Sequence, residues 1–574
     1  MQGRNQNVPR QHNAGTTIPA WAVSFVIAVA SLAVILWTIC WMDRGFDFTD
    51  EAFYLMWAQE PSRFKIAYGL FGYGLHPLFV LAGESVAGLR RLAALIAVTS
   101  GGAAALVSLA AAGNSVRSPL GLQIFAASAL LPFMYYAFWI PTPSYNWFAL
   151  VAGLFLLCGM VDLVRPGSML RSAFFVALSA ILILFSRPHN ALAYGCIYLL
   201  AAVLFVARVR LASLMLFASA FTLVLLATFA CLAPLAVILE QSRSYVAIFG
   251  SSHPVELGMF ARLLAFAIGP GIVFCCSGIL FVVVSMLNMC GRLRPWMLIV
   301  PVSLSCLLVN QVFSLTWSNF LYRIGPMMGV SAYTALAFCR FRTSSNQRLV
   351  GVLGLAGLLP VAATFGSSDR ISEQTAFFCG IWGIIAIVAS CEALPRSWCP
   401  VAIVPWIALT FIAVHIGVSD PYRLASPLKL QVHLTRVGNQ SELKLDERTR
   451  DFIIRLARRA REYGYCEGDL VLDVGSSSPG VIFAIGGHAP VFPWIFAGYP
   501  FSTNFAQAVV SRMSPDELSR TWLVTSEAPG TLTPEQIQVA GIDLSAYQLA
   551  VKLAHPVSGY PVNLFAPPQR GTCR

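Results

Sequence analysis

The chain carries little charge. Only 11% of its 574 residues are Asp, Glu, Lys or Arg, against 57% hydrophobic, and mean hydropathy is +0.71. That balance excludes an ordinary soluble enzyme, in which about a quarter of residues are charged. No C-x-x-C pair occurs among the 14 cysteines, so the sequence frames neither a zinc site nor a redox dithiol. The cysteines, single or as the Cys275-Cys276 neighbours, mostly lie in apolar runs and read as small core residues. Basic residues make no continuous stripe or aromatic-studded groove, which argues against nucleic acid. There is no clear tandem repeat or low-complexity tract. The run from Trp21 to Trp41 is too long for a signal-peptide core and lacks a convincing cleavage site, so it is expected to stay as a first transmembrane helix.

What the chain has in quantity is apolar runs of membrane length, about 20 residues each. They fall near 21–42, 92–112, 118–139, 146–163, 172–186, 190–207, 212–239, 263–289, 295–316, 325–339, 349–365, 374–390 and 399–417, which predicts about 13 spans. Of the net charge of +12, nearly all belongs to residues before 418. Arg117, Arg165 with Arg171, Arg208 with Arg210, Arg292 with Arg294, the Arg340/Arg342/Arg348 group and Arg396 occupy alternate turns, as a positive-inside pattern requires. With residues 1–20 cytoplasmic, the loop 43–91 and the segment 418–574 then lie outside, in the periplasm if the cell is Gram-negative.

Pro61, Gly69, Gly72, Gly74 and Pro77 break the apolar stretches of the first outer loop, so the loop reads as short interfacial helices with Trp57, Tyr68 and Tyr73 near the headgroups. The rival reading is one more spanning helix around 66–83. In the outer segment, Asp446 to Glu462 predicts an amphipathic helix capped by Asp446, Asp469 to Val474 a strand, SSSPG a turn, and 514–525 a helix running into a strand. The fold class expected is a polytopic α-helical membrane body, 21–417, followed by a small extracytoplasmic α/β domain, 418–574. Cys466 and Cys573 are that domain's two cysteines; a disulfide and two free thiols are both open.

The sharpest local feature is Phe46-Asp47-Phe48-Thr49-Asp50-Glu51-Ala52-Phe53-Tyr54 directly after the first span. A carboxylate at an apolar surface gains basicity by desolvation and, correctly aimed, serves as a general base. The bland reading makes Asp50 the cap of a short helix through Gln59. The layout resembles the GT-C superfamily of integral-membrane glycosyltransferases, particularly its protein mannosyltransferase and lipid A aminoarabinose transferase branches. The match is one of layout over about the first 420 residues and of motif only within 43–91. On that resemblance Asp50 corresponds to the catalytic acid of an Asp-Glu motif and Glu51 to its partner. Phe53 and Tyr54 stand where relatives carry aromatics, Tyr73 to Pro77 (YGLHP) matches a further stretch with His76 inside it, and Gly88-Leu89-Arg90-Arg91 leads into the second span.

The resemblance implies transfer of a sugar from a polyprenyl-phosphate donor to an extracytoplasmic cell-envelope acceptor, a glycan, lipopolysaccharide or lipid, with inversion at the anomeric carbon. Departure of the lipid phosphate calls for fixed cations near the outer edge. Arg63, Lys65, Arg90, Arg91, Arg187, Arg243, Arg323 and Arg370 fall on that side. Arg187 leads, because Ser186-Arg187-Pro188-His189-Asn190 interrupts an apolar hairpin with a polar cluster; snorkelling to headgroups is its alternative. Arg243 and Arg323 are expected to help with phosphate, His189 less so, and Tyr245 and Tyr322 to stack on sugar or isoprenoid, or else to belong to an interfacial belt. Tyr145 and Asn146, in the stiff turn Pro141-Thr142-Pro143-Ser144, are expected sugar contacts by the resemblance.

Leu472-Asp473-Val474-Gly475 lacks the full G-x-G-x-x-G pattern and is discounted as a cofactor loop. Gly486-Gly487-His488, Trp494 and Gly498-Tyr499-Pro500 either bind carbohydrate or pack the domain onto the membrane body. No cofactor is indicated; metal use is open, Asp50 and Glu51 being able to recruit a divalent ion. Competing classes are a lipid or glycan transporter or flippase, and a non-catalytic cell-envelope assembly subunit. The expected location is a bacterial inner membrane, and the oligomeric state is open.

Overall fold

The computed structural model describes residues 19–67, 69–165, 167–206, 208–249, 347–367, 371–475, 478–495 and 502–569, with Ala332 and Leu336. Helices dominate up to Ser419, and a mixed α/β region follows. Among the described residues seven helices are long and apolar enough to cross a membrane: Ala20–Ile39, Val86–Ala111, Pro119–Phe138, Tyr145–Asp162, Leu211–Cys231, Thr375–Ala393 and Arg396–Ser419. Seven of the 13 expected runs are thus matched by helices of full membrane length among the described residues. Three of the other expected runs form shorter apolar helices, Met169–Leu184, His189–Phe205 and Gln347–Ala362, and the runs at 263–289, 295–316 and 325–339 lie outside the described residues. The chain is a multi-span helical membrane protein with an extramembrane C-terminal region.

Helix α1 (Ala20–Ile39) shows how such a body packs. Its inward face is Ser24, Ile27, Ser31, Ile35 and Thr38, spaced three and four apart, whereas Phe25, Val29, Leu32 and Leu36 are exposed. Lipid tails are as apolar as leucine, so burial of large apolar groups gives no drive to associate, and small and hydroxyl residues line the contact instead. The Ser24 hydroxyl donates to the Pro119 carbonyl at 2.9 Å and accepts from Gln123 at 2.9 Å. Close approach recurs where the helix Val86–Ala111 meets the helix Pro119–Leu130: a Cβ on Gly101 would lie 2.4 Å from the Ser128 carbonyl.

The loop after α1 holds α2 (Asp50–Gln59) and α3 (Phe71–Leu81), joined to α4 (Val86–Ala111). Two short helices thus stand where the interfacial reading put them, and α3 has 11 residues. Trp57 and Tyr73 are not at a headgroup surface. Trp57 is fully buried, its ring 4.6 Å from that of Phe64, and Phe492 of the C-terminal region packs over the same cluster. Tyr68 lies outside the described residues. Next come α5 (Pro119–Leu130), the 3-10 segment Leu131–Phe138, α6 (Tyr145–Asp162), α7 (Met169–Leu184), α8 (Pro188–Phe205), α9 (Arg208–Leu232) and α10 (Leu235–Phe249). The last membrane helix, α11 (Cys399–Ser419), packs on the 3-10 segment, and a Cβ on Gly417 would lie 2.4 Å from the Tyr136 carbonyl.

After a linker, β1 (His433–Val437) and β2 (Ser441–Leu445) form an antiparallel hairpin, followed by α12 (Glu447–Glu462). Asp446 caps α12 as its sequence promised, accepting from the Thr449 amide at 3.0 Å. A second sheet contains β3 (Val471–Asp473), β4 (Trp522–Ser526), β5 (Gln548–Ala554) and β6 (Pro561–Ala566) in the order β3-β4-β6-β5, with β3 and β4 parallel and the other pairs antiparallel. The helix-to-strand step expected at 514–525 is Pro515–Ser519, opened by a Ser514/Glu517 capping box, then β4. In the serine turn expected before Gly480, Ser478 is buried, its backbone amide donating to Asp473 at 3.2 Å, and Ser476 and Ser477 lie outside the described residues.

This region is fastened to the first loop by backbone and rings together. Arg44 bridges Lys444, the Gly45 amide donates to the Lys444 carbonyl at 3.0 Å, and the Lys444 amide to the Asp43 carbonyl at 2.8 Å. The Gly480 amide donates to the Phe48 carbonyl at 2.7 Å, so closely that a Cβ on Gly480 would lie 2.5 Å from the Phe48 Cα. Phe46 stacks on Phe483, and Phe48 meets Phe452 and His555 edge-on. Trp494 lies against Phe53, so this residue packs the domain onto the loop.

Candidate active site

The acidic segment is shaped by its own hydrogen bonds. Asp47, buried, accepts from the Thr49 amide at 3.0 Å, the Thr49 hydroxyl at 2.7 Å and the Glu51 amide at 3.2 Å. Asp47 thus supplies the start of α2 with its acceptors, the task the bland reading gave Asp50. Asp50 is the first residue of the helix. Burial, and then the charge of Asp50, push the Asp47 carboxyl up to about 7, against hydrogen bonds from Thr49 that lower it. The loop therefore places a buried carboxyl with a raised proton affinity next to one that is partly open to solvent, with a side-chain exposure of 24%.

Glu51 points the other way. One of its carboxylate oxygens meets Arg90 Nη2 at 2.7 Å and Nε at 3.0 Å and accepts the Thr142 hydroxyl, while the other accepts the Asp47 amide at 3.1 Å. Arg90 spends its remaining donors on the carbonyls of Met42, Arg44 and Gly45 at 2.9 to 3.1 Å. Both side chains are essentially out of solvent. Arg90 is committed to holding the loop, and Glu51 fixes the backbone from which Asp50 projects.

Around Asp50 the structure gathers Thr49, Tyr54, Tyr422 and Arg423. The Tyr422 hydroxyl donates to Asp50, and burial together with the Asp50 charge pushes that phenol up. Arg423 Nη1 lies 2.8 Å from the Thr49 hydroxyl and 3.3 Å from Asp50 Oδ2. Tyr54, buried one turn after Asp50, is pushed well above its ordinary value by burial, then by Tyr145 and Asp50, and its hydroxyl shares a hydrogen bond with Tyr145. The Tyr54 and Tyr145 rings meet edge to face at 5.8 Å, and the Arg187 guanidinium sits 4.3 Å over the Tyr145 ring. Tyr54, Tyr145 and Arg187, all singled out in the sequence, are thus linked in one chain of contacts, and Asp50 lies one helical turn before Tyr54.

Other expected site residues are placed differently. Tyr73 donates to Gln241 at 3.0 Å, and Gln241 in turn donates to the carbonyls of Pro61 and Phe64, so Tyr73 braces the loop against α10. His76 Nδ1 is 2.8 Å from the Ala58 carbonyl and ties α3 to α2. Asn146 is buried behind the Ser144 cap, its amide donating to the Ser144 hydroxyl at 3.2 Å. His189 is exposed and lies over Gly366, where a Cβ would come within 2.6 Å of Nδ1. Arg243 is exposed on α10 and Tyr245 is half-buried there. Arg323, Tyr322, Arg370 and Cys573 lie outside the described residues; Cys466 is disulfide-bonded. Arg63 pairs with Glu60 at 2.6 Å, and Lys65 with the Arg512 carbonyl at 2.8 Å and Glu517 at 3.4 Å.

Four contributors, Asp47, Thr49, Tyr422 and Arg423, were not among the expected site residues. Asp47 and Thr49 form an Asx-type turn, legible in Asp-x-Thr had it been weighed beside the Asp-Glu pair. Arg423 sits in Asp420-Pro421-Tyr422-Arg423 right after the last apolar run, where a lone cation at the outer edge was a usable signal. Among the described residues no group of three or more His, Cys, Asp or Glu side chains converges as metal ligands. Glu51, one of the two acids offered for an ion, has both oxygens engaged as above.

No family model matches the chain, and no curated protein matches it. Among the solved structures that resemble it at a distance are two of one protein. The crystal structure of ArnT from Cupriavidus metallidurans in the apo state is 13% identical, with 94% of this chain and 97% of that one covered and a TM-score of 0.43. The same protein bound to undecaprenyl phosphate gives 12%, 96%, 98% and 0.38.

Proposed function

We propose that this protein is a membrane glycosyltransferase that moves one sugar from a polyprenyl-phosphate donor to a cell-envelope acceptor on the outer face of a bacterial inner membrane, with inversion. The observation that supports it most is the partly exposed Asp50 carboxylate at the seam between helix bundle and C-terminal domain, with Arg423 on one side and the Tyr54-Tyr145-Arg187 chain on the other. The GT-C-like reading of residues 43–91 belongs to the same proposal.

In this reaction Asp50 takes the proton from an acceptor hydroxyl as that oxygen bonds to the anomeric carbon. The bond from that carbon to the phosphate oxygen breaks, and the electron pair leaves with the lipid phosphate. Arg187, held over Tyr145, supplies positive charge for that phosphate. Asp47 spaces and orients the carboxylate, and Glu51 locks the turn through Arg90. The C-terminal domain, 418–574, covers the loop and receives the acceptor, and a Cys466–Cys573 bond ties down its tail.

The test is transfer by purified full-length protein given a panel of labelled polyprenyl-phosphate sugars, wild type beside Asp50→Asn. Loss of label from one donor with wild type, and at least a hundredfold slower loss with the variant at unchanged melting temperature, supports the reading. Retained transfer by the variant removes Asp50 as the base.

A further inference from the structure

Arg423 has an unusual setting. Its φ is +51°, one of three non-glycine positive values among the described residues, a left-handed conformation that L side chains adopt only under constraint. Its neighbours are fixed: the Tyr422 amide donates to the Phe138 carbonyl at 3.1 Å, and Leu424 packs so closely on Gly45 that a Cβ there would lie 2.4 Å from Leu424 Cδ1. The backbone is therefore held from both sides while the guanidinium, with 46% of the side chain exposed, reaches Thr49 and Asp50 by a single nitrogen. Tyr422 lies beneath it, 4.7 Å from guanidinium carbon to ring centroid. Such an arginine differs from Arg90, whose donors are all spent in the dry interior.

We propose that Arg423 is an exchangeable cation: it holds Asp50 while the donor site is empty and turns to the lipid phosphate when donor binds, freeing Asp50 to act as base. This deepens the reading above and rests on it. The donor's phosphodiester, and the lipid monophosphate that transfer leaves behind, compete with the Asp50 carboxylate for one guanidinium, and the left-handed backbone at 423 directs that group from the domain linker toward Asp50. The linker position also makes the seating of the C-terminal domain a condition for the exchange.

The competition gives a sign that mere structural support does not. Binding of undecaprenyl monophosphate in detergent, with undecaprenol as the uncharged control, is measured for wild type, Asp50→Asn, Arg423→Ala, Arg423→Lys and the Asp50→Asn/Arg423→Ala double variant. Expected are about threefold to tenfold tighter phosphate binding for Asp50→Asn, at least tenfold weaker for Arg423→Ala, partial recovery for Arg423→Lys, and no gain from Asp50→Asn once Arg423 is absent; undecaprenol binding stays level throughout. Unchanged or weaker binding by Asp50→Asn overturns the exchange even if Arg423→Ala fails to fold. Transfer measured on the same Asp50→Asn protein reads the base separately: transfer lost with binding unchanged leaves the base and removes the exchange, whereas transfer kept removes the base whatever the binding shows.

Discussion

Glu51 and Arg90 are joined by two hydrogen bonds, 2.7 and 3.0 Å, to one carboxylate oxygen, with both side chains shut away from solvent. A buried pair of this kind is costly to break from one side, because the partner remains as an uncompensated charge. Glu51→Gln and Arg90→Met are each expected to lower stability by about 3–5 kcal/mol, seen as loss of monodisperse protein and a lower melting temperature in detergent. Single variants that melt like wild type would show that the loop is held by something else.

Arg187 rests on the Tyr145 ring, and an aromatic face attracts a cation by roughly 0.5–2 kcal/mol. Tyr145→Phe keeps the face but removes the partner of the Tyr54 hydroxyl, so a modest fall in turnover with an unchanged donor KM is expected. Tyr145→Leu loses the face as well, and Arg187→Ala the charge; both should raise donor KM by tenfold or more. Equal KM values across the three would detach Arg187 from the donor.

Asp47 gives the loop a pH response. Its carboxyl is raised from 3.8 to about 7, so the folded protein binds the proton more tightly than the unfolded chain. The stability this contributes is complete below about 3.8 and is lost as pH rises through about 7. Wild type should therefore lose more melting temperature between pH 5 and pH 8 than Asp47→Asn, which has no proton to release. A parallel decline in the two proteins would count against the buried acid.

Gly480 admits the Phe48 backbone at a distance no side chain tolerates. Gly480→Val is expected to unseat the domain from the loop while both parts stay folded, with protease sensitivity appearing in the linker 420–432 and transfer falling at least tenfold. A protected linker with full activity would mean that the docking surface accommodates the extra volume.

Under non-reducing conditions, mass spectrometry of peptides from protein made in an oxidising compartment should recover Cys466 linked to Cys573. Recovery of Cys466 with another cysteine would redraw the tail.

Much of the architecture was legible because it follows from local chemistry. Apolar runs of membrane length, the Asp446 cap and the Ser514/Glu517 box all depend on residues close in sequence, and so does the placing of two short helices in the first loop. Asp50 and Arg187 could be named from their place next to apolar runs, and Tyr54 and Tyr145 from the family resemblance. The division of labour among the acids could not, since Asp47, Asp50 and Glu51 differ only in which way the turn directs them, and that depends on Arg90 and Thr142 far along the chain. Trp57 and Tyr73 were assigned to an interface because the sequence does not show that Phe492, Trp494 and Gln241 arrive to bury them. Arg423 gains its meaning only from the fold that returns residue 423 to residue 50.

The seam between Asp43-Arg44-Gly45 and Lys444 has a consequence for assembly. Its two sides are made some four hundred residues apart, so the acidic turn emerges from the ribosome long before the strand that braces it exists. A chain released early would possess the helix and its carboxylates without their brace, and the reactive arrangement would come into being only as a last event in synthesis, after the membrane body is already in place.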